Sequence, residues 1–520
     1  MAWSRNGMKQ RGPMSLAPVS SVTPRRLLLS SAESVFTNGA WYLIAAVLLF
    51  APMGMAHEHH QEKIKEGDTI SMDPIDTTLW VHIFIQMLAF GVLFPLGMVL
   101  GLVKSRWHVP VQTIASAIAI LGAILGHSHG GREFAYNAHS QFGDVVYGLL
   151  FAQIVLGVYL KLHIERGFLG RIRKWLVLAH SINGKVFPVV SWVQLLFGGI
   201  AALGFCHDDH LGQCVAHFIM GSAFIAYGTL LTIMVLAGQL WLRRTGRSQE
   251  FFDSSIIAAW GCVNTFTEHR WGEEWRGNDW QHTAMGIVWW CAGLAGIWLS
   301  RGRDGSPKRN FIPGFVLILT GWSMSAHTQH SMASSALHTM FGYTLMAAGV
   351  TRIIEVSFVL QDKTGVSTAG DEVNSFQYVP VFLLFASGYL FMGATEEQMA
   401  LLESSPMDHV AYILILYSLA FLTFLFVCML LHVYDRASYN SNAYKNLTTA
   451  NTRDDSVTES ERRRLQDVEE FELDGLMTDD EDDEEAAKRK LLAKEKDVEG
   501  SNSTGPGSPS TVGRNSDRVA

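Results

Sequence analysis

The chain has no P-loop, no GxSxG elbow and no HExxH helix, which removes the commonest nucleotide-hydrolysing, serine-hydrolase and zinc-peptidase chemistries. No cytosolic segment has the pattern of an FAD- or NADPH-binding domain, which argues against a self-sufficient NADPH-driven reductase. Cysteine is scarce, five in 520 residues, and only Cys206 and Cys214 stand close together, in Cys-His-Asp-Asp-His-Leu-Gly-Gln-Cys. Charge is thin at 17%, and the net charge of -8 comes largely from the C-terminal end. Nothing in that balance suits a nucleic-acid binder.

What the chain does have is apolar length. It is 48% apolar, with 15 Trp, and it repeatedly runs for about 20 mostly apolar residues, the length a helix needs to cross the hydrocarbon of a bilayer. Crossing helices are predicted at 79–103, 109–126, 143–162, 186–205, 214–242, 282–300, 311–326, 338–360, 376–394 and 409–433. Residues 40–56 form a weaker apolar run with a basic flank at Arg25 and Arg26 and a small residue at Ala56, so 1–56 reads as a signal peptide or a retained N-terminal anchor. A His-rich extracytoplasmic segment, 57–78, follows it.

Loop charge orients the chain. Lys104 and Arg106, then Lys161, Arg166, Arg171, Arg173, Lys174 and Lys185, then Arg243, Arg244 and Arg247 fall in alternate loops, which are cytosolic by the positive-inside rule. The opposite loops hold the cysteine pair, which as a disulfide requires an oxidising compartment. Arg301, Arg303, Lys308 and Arg309 join the cytosolic set only if 251–267 also crosses, so eleven crossings are predicted. The tail, 434–520, then lies in the cytosol. Its acidic run and its Ser, Gly and Pro stretch predict disorder, with a short helix around 480–496 and a possible role in binding cytosolic proteins.

An internal repeat is visible in the landmarks. His127 follows His82 by 45 residues, as His327 follows His282; His139 follows His82 by 57, and His338 follows His282 by 56. Pro188 and Pro380, and His217 and His409, are both offset by 192. The predicted fold is therefore all-α and polytopic: a first membrane repeat at 79–242, a linker at 243–281 carrying helix 251–267, and a degenerate second repeat at 282–433. The repeats are parallel, about five helices each.

Histidine at membrane depth is costly unless paired and marks a site. His82 and His139 fall at matched depth near the extracytoplasmic ends of parallel helices, and His108 and His180 lie toward the cytosolic face. Two imidazoles on different helices at matched depth are what a haem sandwich requires. The alternative is that these histidines are hydrogen-bonded interior residues. His282 with His338 is a weaker candidate for a third pair.

LWVHIFIQMLAFGVLFPLGMVLG, WHVPVQTIASAIAILG, YNAHSQFGDVVYGLLFAQIVLG and LAHSINGKVFPVVSWVQLLFGG resemble, in order, the four-helix core of the cytochrome b561 and ferric-reductase transmembrane family. That resemblance covers 79–205. It implies two b haems, one on His82 and His139 and one on His108 and His180, passing electrons between small molecules such as ascorbate and a ferric chelate, as in ferric or monodehydroascorbate reductases. The interval from His82 to His108 is shorter than is usual there. In the second repeat the positions of His108 and His180 are taken by Lys308-Arg309-Asn310 and Glu372, so that copy lacks a cytosolic pair. The chain as a whole resembles the fungal Ytp-type membrane proteins.

His57, His59, His60, His127, His129, His207 and His210, with His327 and His330, gather on the extracytoplasmic side, where imidazoles beside carboxylates such as Asp208 and Asp209 can bind Zn²⁺ or Cu²⁺; solvated loop histidines are the plainer reading. The leading expectation is a haem-dependent transmembrane electron carrier of the secretory pathway, in an endomembrane or the plasma membrane. The competing one is a non-enzymatic membrane protein, a metal-binding or transport factor or a scaffold, that has lost its haem.

Overall fold

With no water in hydrocarbon to satisfy backbone N–H and C=O groups, a chain this apolar must fold as helices whose hydrogen bonds are internal. The computed structural model describes residues 64, 68–162, 167–238, 241–242, 245–269, 272–326, 329, 331–360 and 373–451. The expectations for 1–56, for His57, His59 and His60, for His327 and His330, and for the tail beyond 451 lie outside them. Twelve helices are named here: α1 (Thr77–Leu102), α2 (His108–Ser128), α3 (Ala138–Lys161), α4 (Gly167–Leu203), α5 (Leu211–Leu236), α6 (Gln249–Thr267), α7 (Gly277–Leu299), α8 (Ile312–Ser325), α9 (Met332–Leu360), α10 (Tyr378–Met392), α11 (Glu396–Ser404) and α12 (His409–Asn451). Among the described residues, nine helices are long and apolar enough to cross a membrane; α8 is apolar but shorter, and α6, expected as the eleventh crossing, forms a 19-residue helix that falls outside that set. The protein is an all-α polytopic membrane protein.

Local chemistry sets several boundaries. Asp76 caps α1 by accepting from Leu79 N, Asn137 caps α3 through Ser140 N, and Ser331 caps α9 through Ser334 N. Pro95 lacks an N–H and crowds the preceding turn, and α1 accommodates it by widening to a π-helical turn at Ala89–Leu93. Two helices outrun expectation. α4 begins at Gly167 rather than near 186, and α12 continues to Asn451, past the expected start of a disordered tail at 434. Residues 434–451 contain neither Gly nor Pro, so nothing local stops the helix.

The first four helices pair as α1 with α2 and α3 with α4, and α1 crosses α4 where Phe90 and Phe94 meet Phe187. The larger core lies among α5, α9, α10 and α12, around Leu337, Phe341, Leu345, Leu384, Phe385, Leu390 and Leu416. α5, expected to close the first repeat, packs against α10 instead. α8 and α9 approach backbone to backbone, Gly321 against Gly342 and Gly314 against Gly349, the close contact that small residues permit in membranes.

A buried charge network ties these helices together. Arg352 of α9 donates to Glu355 (2.6 Å) and to Glu250 of α6 (2.9 Å), and Arg309 donates to the same Glu250 oxygen (2.9 Å). Tyr227 of α5 donates to Asp253 (2.5 Å), and Gln377 donates to Glu355 (3.3 Å). Removing Arg352 leaves buried Glu355 without a cation and leaves Glu250 with Arg309 alone. Arg352→Ala should therefore destabilise the detergent-solubilised protein by roughly 3–5 kcal/mol, with partial recovery in Arg352→Ala/Glu355→Gln. Thermal unfolding followed by tryptophan fluorescence measures both; an unchanged midpoint in Arg352→Ala would show that the network contributes nothing to stability.

Candidate functional site

The four first-repeat histidines form two pairs. His82 of α1 and His139 of α3 have ring centroids 6.3 Å apart with planes at 87°; His108 of α2 and His180 of α4 are 6.4 Å apart at 88°. The first pair lies at the end where α1 and α3 begin, the second where α2 begins and α3 ends. About 14 residues of helix separate the two levels, some 21 Å at 1.5 Å per residue.

Each histidine is seated by the helix beside it, and the seating repeats. On α1, His82 and Gln86 face Gly126 and Gly122 of α2; on α2, His108 and Gln112 face Gly101 and Gly97 of α1. On α3, His139 and Gly143 face Gly198 and Gln194 of α4; on α4, His180 and Gly184 face Gly157 and Gln153 of α3. Every helix thus carries His, a Gln or Gly four residues on, and a second Gln or Gly followed four residues later by Gly. The interval from the histidine to that second Gln or Gly is 14 residues in α2, α3 and α4 and 15 in α1. The one-residue excess falls across the π turn at Ala89–Leu93, which absorbs it and keeps both ends of α1 in register with α2.

Glycine is required at these seats because a Cβ on Gly126 would stand 2.5 Å from His82 Nδ1, and one on Gly101 would stand 2.8 Å from His108 Nδ1. The same close approach fixes the tautomers. His82 Nδ1 contacts Gly122 O at 2.7 Å, His108 Nδ1 contacts Gly97 O at 2.7 Å, and His139 Nδ1 contacts Gln194 O at 3.3 Å. A carbonyl oxygen only accepts, so Nδ1 carries the proton and Nε2 keeps a lone pair. A backbone carbonyl holding the distal ring N–H is the usual support for a metal-ligating imidazole. His180 differs: its Nδ1 is buried without a hydrogen-bond partner, and Gln153 Nε2 instead donates to its backbone carbonyl at 3.1 Å.

These residues fit a bis-histidine haem. A metal held at roughly 2 Å by each of two imidazole nitrogens sets ring centroids about 6 Å apart, close to the spacing of both pairs. Between the two levels Phe90, Phe94, Tyr147 and Phe187 form an aromatic layer, braced by Tyr147 donating to Ala119 O (2.8 Å) and Gln86 donating to Tyr147 (2.7 Å).

The second repeat does not assemble the expected third pair. His282 Nδ1 lies 3.2 Å from Glu268, whereas the ring of His338 sits 6.0 Å from that of His217, and His217 also stacks on Phe391 at 4.6 Å. The seating pattern begins here, with Gly286 and Gly342 four residues after each histidine, but the positions 14 and 18 residues beyond His338 hold Arg352 and Val356. Between α8 and α9 the glycines meet each other's backbone instead of a histidine or glutamine side chain. His217 was a repeat landmark only; its close neighbour His338 lies 121 residues away, and no local signal links them.

The loop histidines do not converge. His127 contacts Ala123 O of its own helix, His129 lies beside Phe134, and His207 and His210 pair with Glu397 and Glu396. Cys206 and Cys214 form the expected disulfide. Over the His82–His139 end, residues 69–76 strap the loop 130–135 to the end of α4: Ser71 N donates to Glu133 O, Ala135 N to Thr69 O, and Arg132 donates to Asp73 O and Ala202 O. Asp76 anchors the strap, accepting from Leu79 N (2.8 Å) and Gly130 N (3.0 Å).

Residues 190–435 match the family described as Protein YTP1-like, C-terminal, and residues 62–163 match the Domain of unknown function DUF2427. The chain is 45% identical over 260 residues to Protein YTP1 of Saccharomyces cerevisiae, covering 49% of this chain and 55% of that protein, so it spans about half the length of that relative. It is 22% identical over 455 residues to an uncharacterized membrane protein of Schizosaccharomyces pombe, covering 63% of this chain and 89% of that protein. A second Saccharomyces cerevisiae membrane protein is 25% identical over 277 residues, 49% of this chain and 41% of its own length. No solved structure matches.

The hydrogen bonds to Asp76, first that from Leu79 N, hold its carboxyl below its ordinary value of 3.8. A depressed carboxyl contributes stability that is present above the unfolded value and lost as pH falls through the folded one. Asp76→Ala should therefore lower the unfolding temperature at pH 7 and have a diminishing effect as pH falls below the ordinary value of 3.8; an effect that does not diminish there would show that the carboxylate form is not what the cap uses. By sequence and by structure, the protein is a polytopic membrane protein whose C-terminal region matches the YTP1-like family.

Proposed function

We propose that the first repeat is a transmembrane electron carrier binding two b haems, one on His82 and His139 and the other on His108 and His180. The observation that carries the reading is the duplicated seating: two histidine pairs, at opposite ends of the same four helices, with Nδ1 of three of the four rings held by a backbone carbonyl. Bound haem would supply one-electron chemistry at each level. The chain's own part is to orient the imidazoles, keep Nε2 unprotonated and exclude water with the aromatic layer between the levels.

In this reading the disulfide end faces an extracytoplasmic compartment of the secretory pathway, and the end bearing Lys104, Arg106 and Lys185 faces the cytosol. A small reductant such as ascorbate serves one face and a ferric chelate or oxidised ascorbate the other. The second repeat, with its α8–α9 seam closed, packs against the carrier as a scaffold.

The reduced-minus-oxidised visible spectrum of detergent-purified protein tests this. The expected result is a b-type spectrum with two haems per chain, falling to one in His82→Ala and to one in His180→Ala. Well-folded protein without haem, after expression with haem supplied, overturns the reading.

A further inference from the structure

The disulfide lies beside carboxylate and imidazole groups contributed from both repeats. The loop after α4 carries Cys206 and His207, α5 carries Cys214 in its first turn, and Glu397 comes from α11, 191 residues from Cys206. Cys206 Sγ, Cys214 Sγ and a Glu397 oxygen all lie within 4.8 Å of one another; among the described residues they are the one group of three His, Cys, Asp or Glu ligand atoms so close. His207 Nδ1 is 3.3 Å from Glu397 Oε1. Cys214 is fully buried and the Glu397 side chain nearly so. Both Glu397 oxygens accept from Cys206 N, at 3.0 and 2.9 Å, which holds the carboxylate beside the disulfide. Cys206 and Asp208, flanking His207, hold positive φ angles of 60° and 45° without being glycine, a backbone cost carried by a loop only eight residues across its bridge.

Two thiolates, one carboxylate and one imidazole are the donor types of a tetrahedral zinc site. We propose that the Cys206–Cys214 disulfide and a Zn²⁺ site on Cys206, Cys214 and Glu397, with His207 beside them as fourth donor, are two states of one redox-controlled centre. The oxidised state is the S–S bond. A dithiol reductant exchanges with that bond, leaves as its own disulfide and releases two thiols. Zn²⁺ then binds as both thiols lose their protons, because the thiolate is the ligand. Since Glu397 belongs to the second repeat and the cysteines to the first, the metal would bridge the repeats where the disulfide joins residues of the first alone.

Full-length protein in detergent, oxidised or reduced with a phosphine and freed of reductant, is titrated with Co²⁺ as a spectroscopic stand-in for Zn²⁺. The reduced protein should bind one equivalent with a thiolate-to-metal charge-transfer band, the oxidised protein should show none, and Zn²⁺ should displace the Co²⁺. Glu397→Ala should weaken binding by about tenfold or more, and Cys206→Ser/Cys214→Ser should abolish the band, which separates this site from Cys262, Cys291 and Cys428. Maleimide labelling mapped by mass spectrometry gives a second reading on the unmutated chain, where Zn²⁺ should slow alkylation of Cys206 and Cys214 together. Equal alkylation rates with and without Zn²⁺, or a charge-transfer band that survives in the double serine variant, would overturn the proposal.

Discussion

Arg352 occupies the position on which the packing of the larger helical body depends. A guanidinium buried among apolar helices is tolerated only when carboxylates meet it, and here Glu355 comes from its own helix while Glu250 and Asp253 come from α6. Arg309, just ahead of α8, shares Glu250; Tyr227 brings in α5 through Asp253, and Gln377 brings in the start of α10 through Glu355. Charge therefore fixes which helix faces which at one end of this body, while glycine contacts and the phenylalanine and leucine core set the spacing along its length. Such a network favours one arrangement because sliding any one helix would strand a charge.

The two repeats use small residues to opposite ends. In the second repeat glycines face glycines, so α8 and α9 touch and no interior space is left between them. In the first, glycines face histidine and glutamine side chains, which fill the space that a Cβ would take. Small residues thus seat side chains across helices in the first four helices and bring backbones together in α8 and α9. The α5–α10 contact then carries the last helix of the first repeat into the core of the second, so the halves share one core along that seam.

Much of the fold was readable because its signals are local. Apolar length predicted ten of the helices, and loop charge asked for 251–267 as an eleventh crossing; that segment is helical, but it is not among the nine described helices long and apolar enough to cross. The histidine pairs were readable from depth, since alternate helices starting on one side put His82 level with His139. The repeated spacing of Gln and Gly after each histidine was also present in the sequence, but it becomes legible only once the π turn in α1 explains why one interval is 15 rather than 14. Helix ends were less legible: α4 and α12 run past the membrane-length windows because hydropathy reports where a helix is buried and not where its hydrogen bonding stops.

What the sequence determined by itself was the all-α polytopic class and the position of most apolar helices, since each depends on a single stretch of chain and the thickness of a bilayer. Only the tertiary structure decided which side chains meet across helices. It set His338 against His217 rather than His282, joined Arg352 to Glu250 across 102 residues, and put Glu397 beside the cysteines 191 residues away. Those encounters depend on how each helix is rotated about its axis and which neighbour it chooses. Both are outcomes of packing the whole chain at once, and no local window contains them.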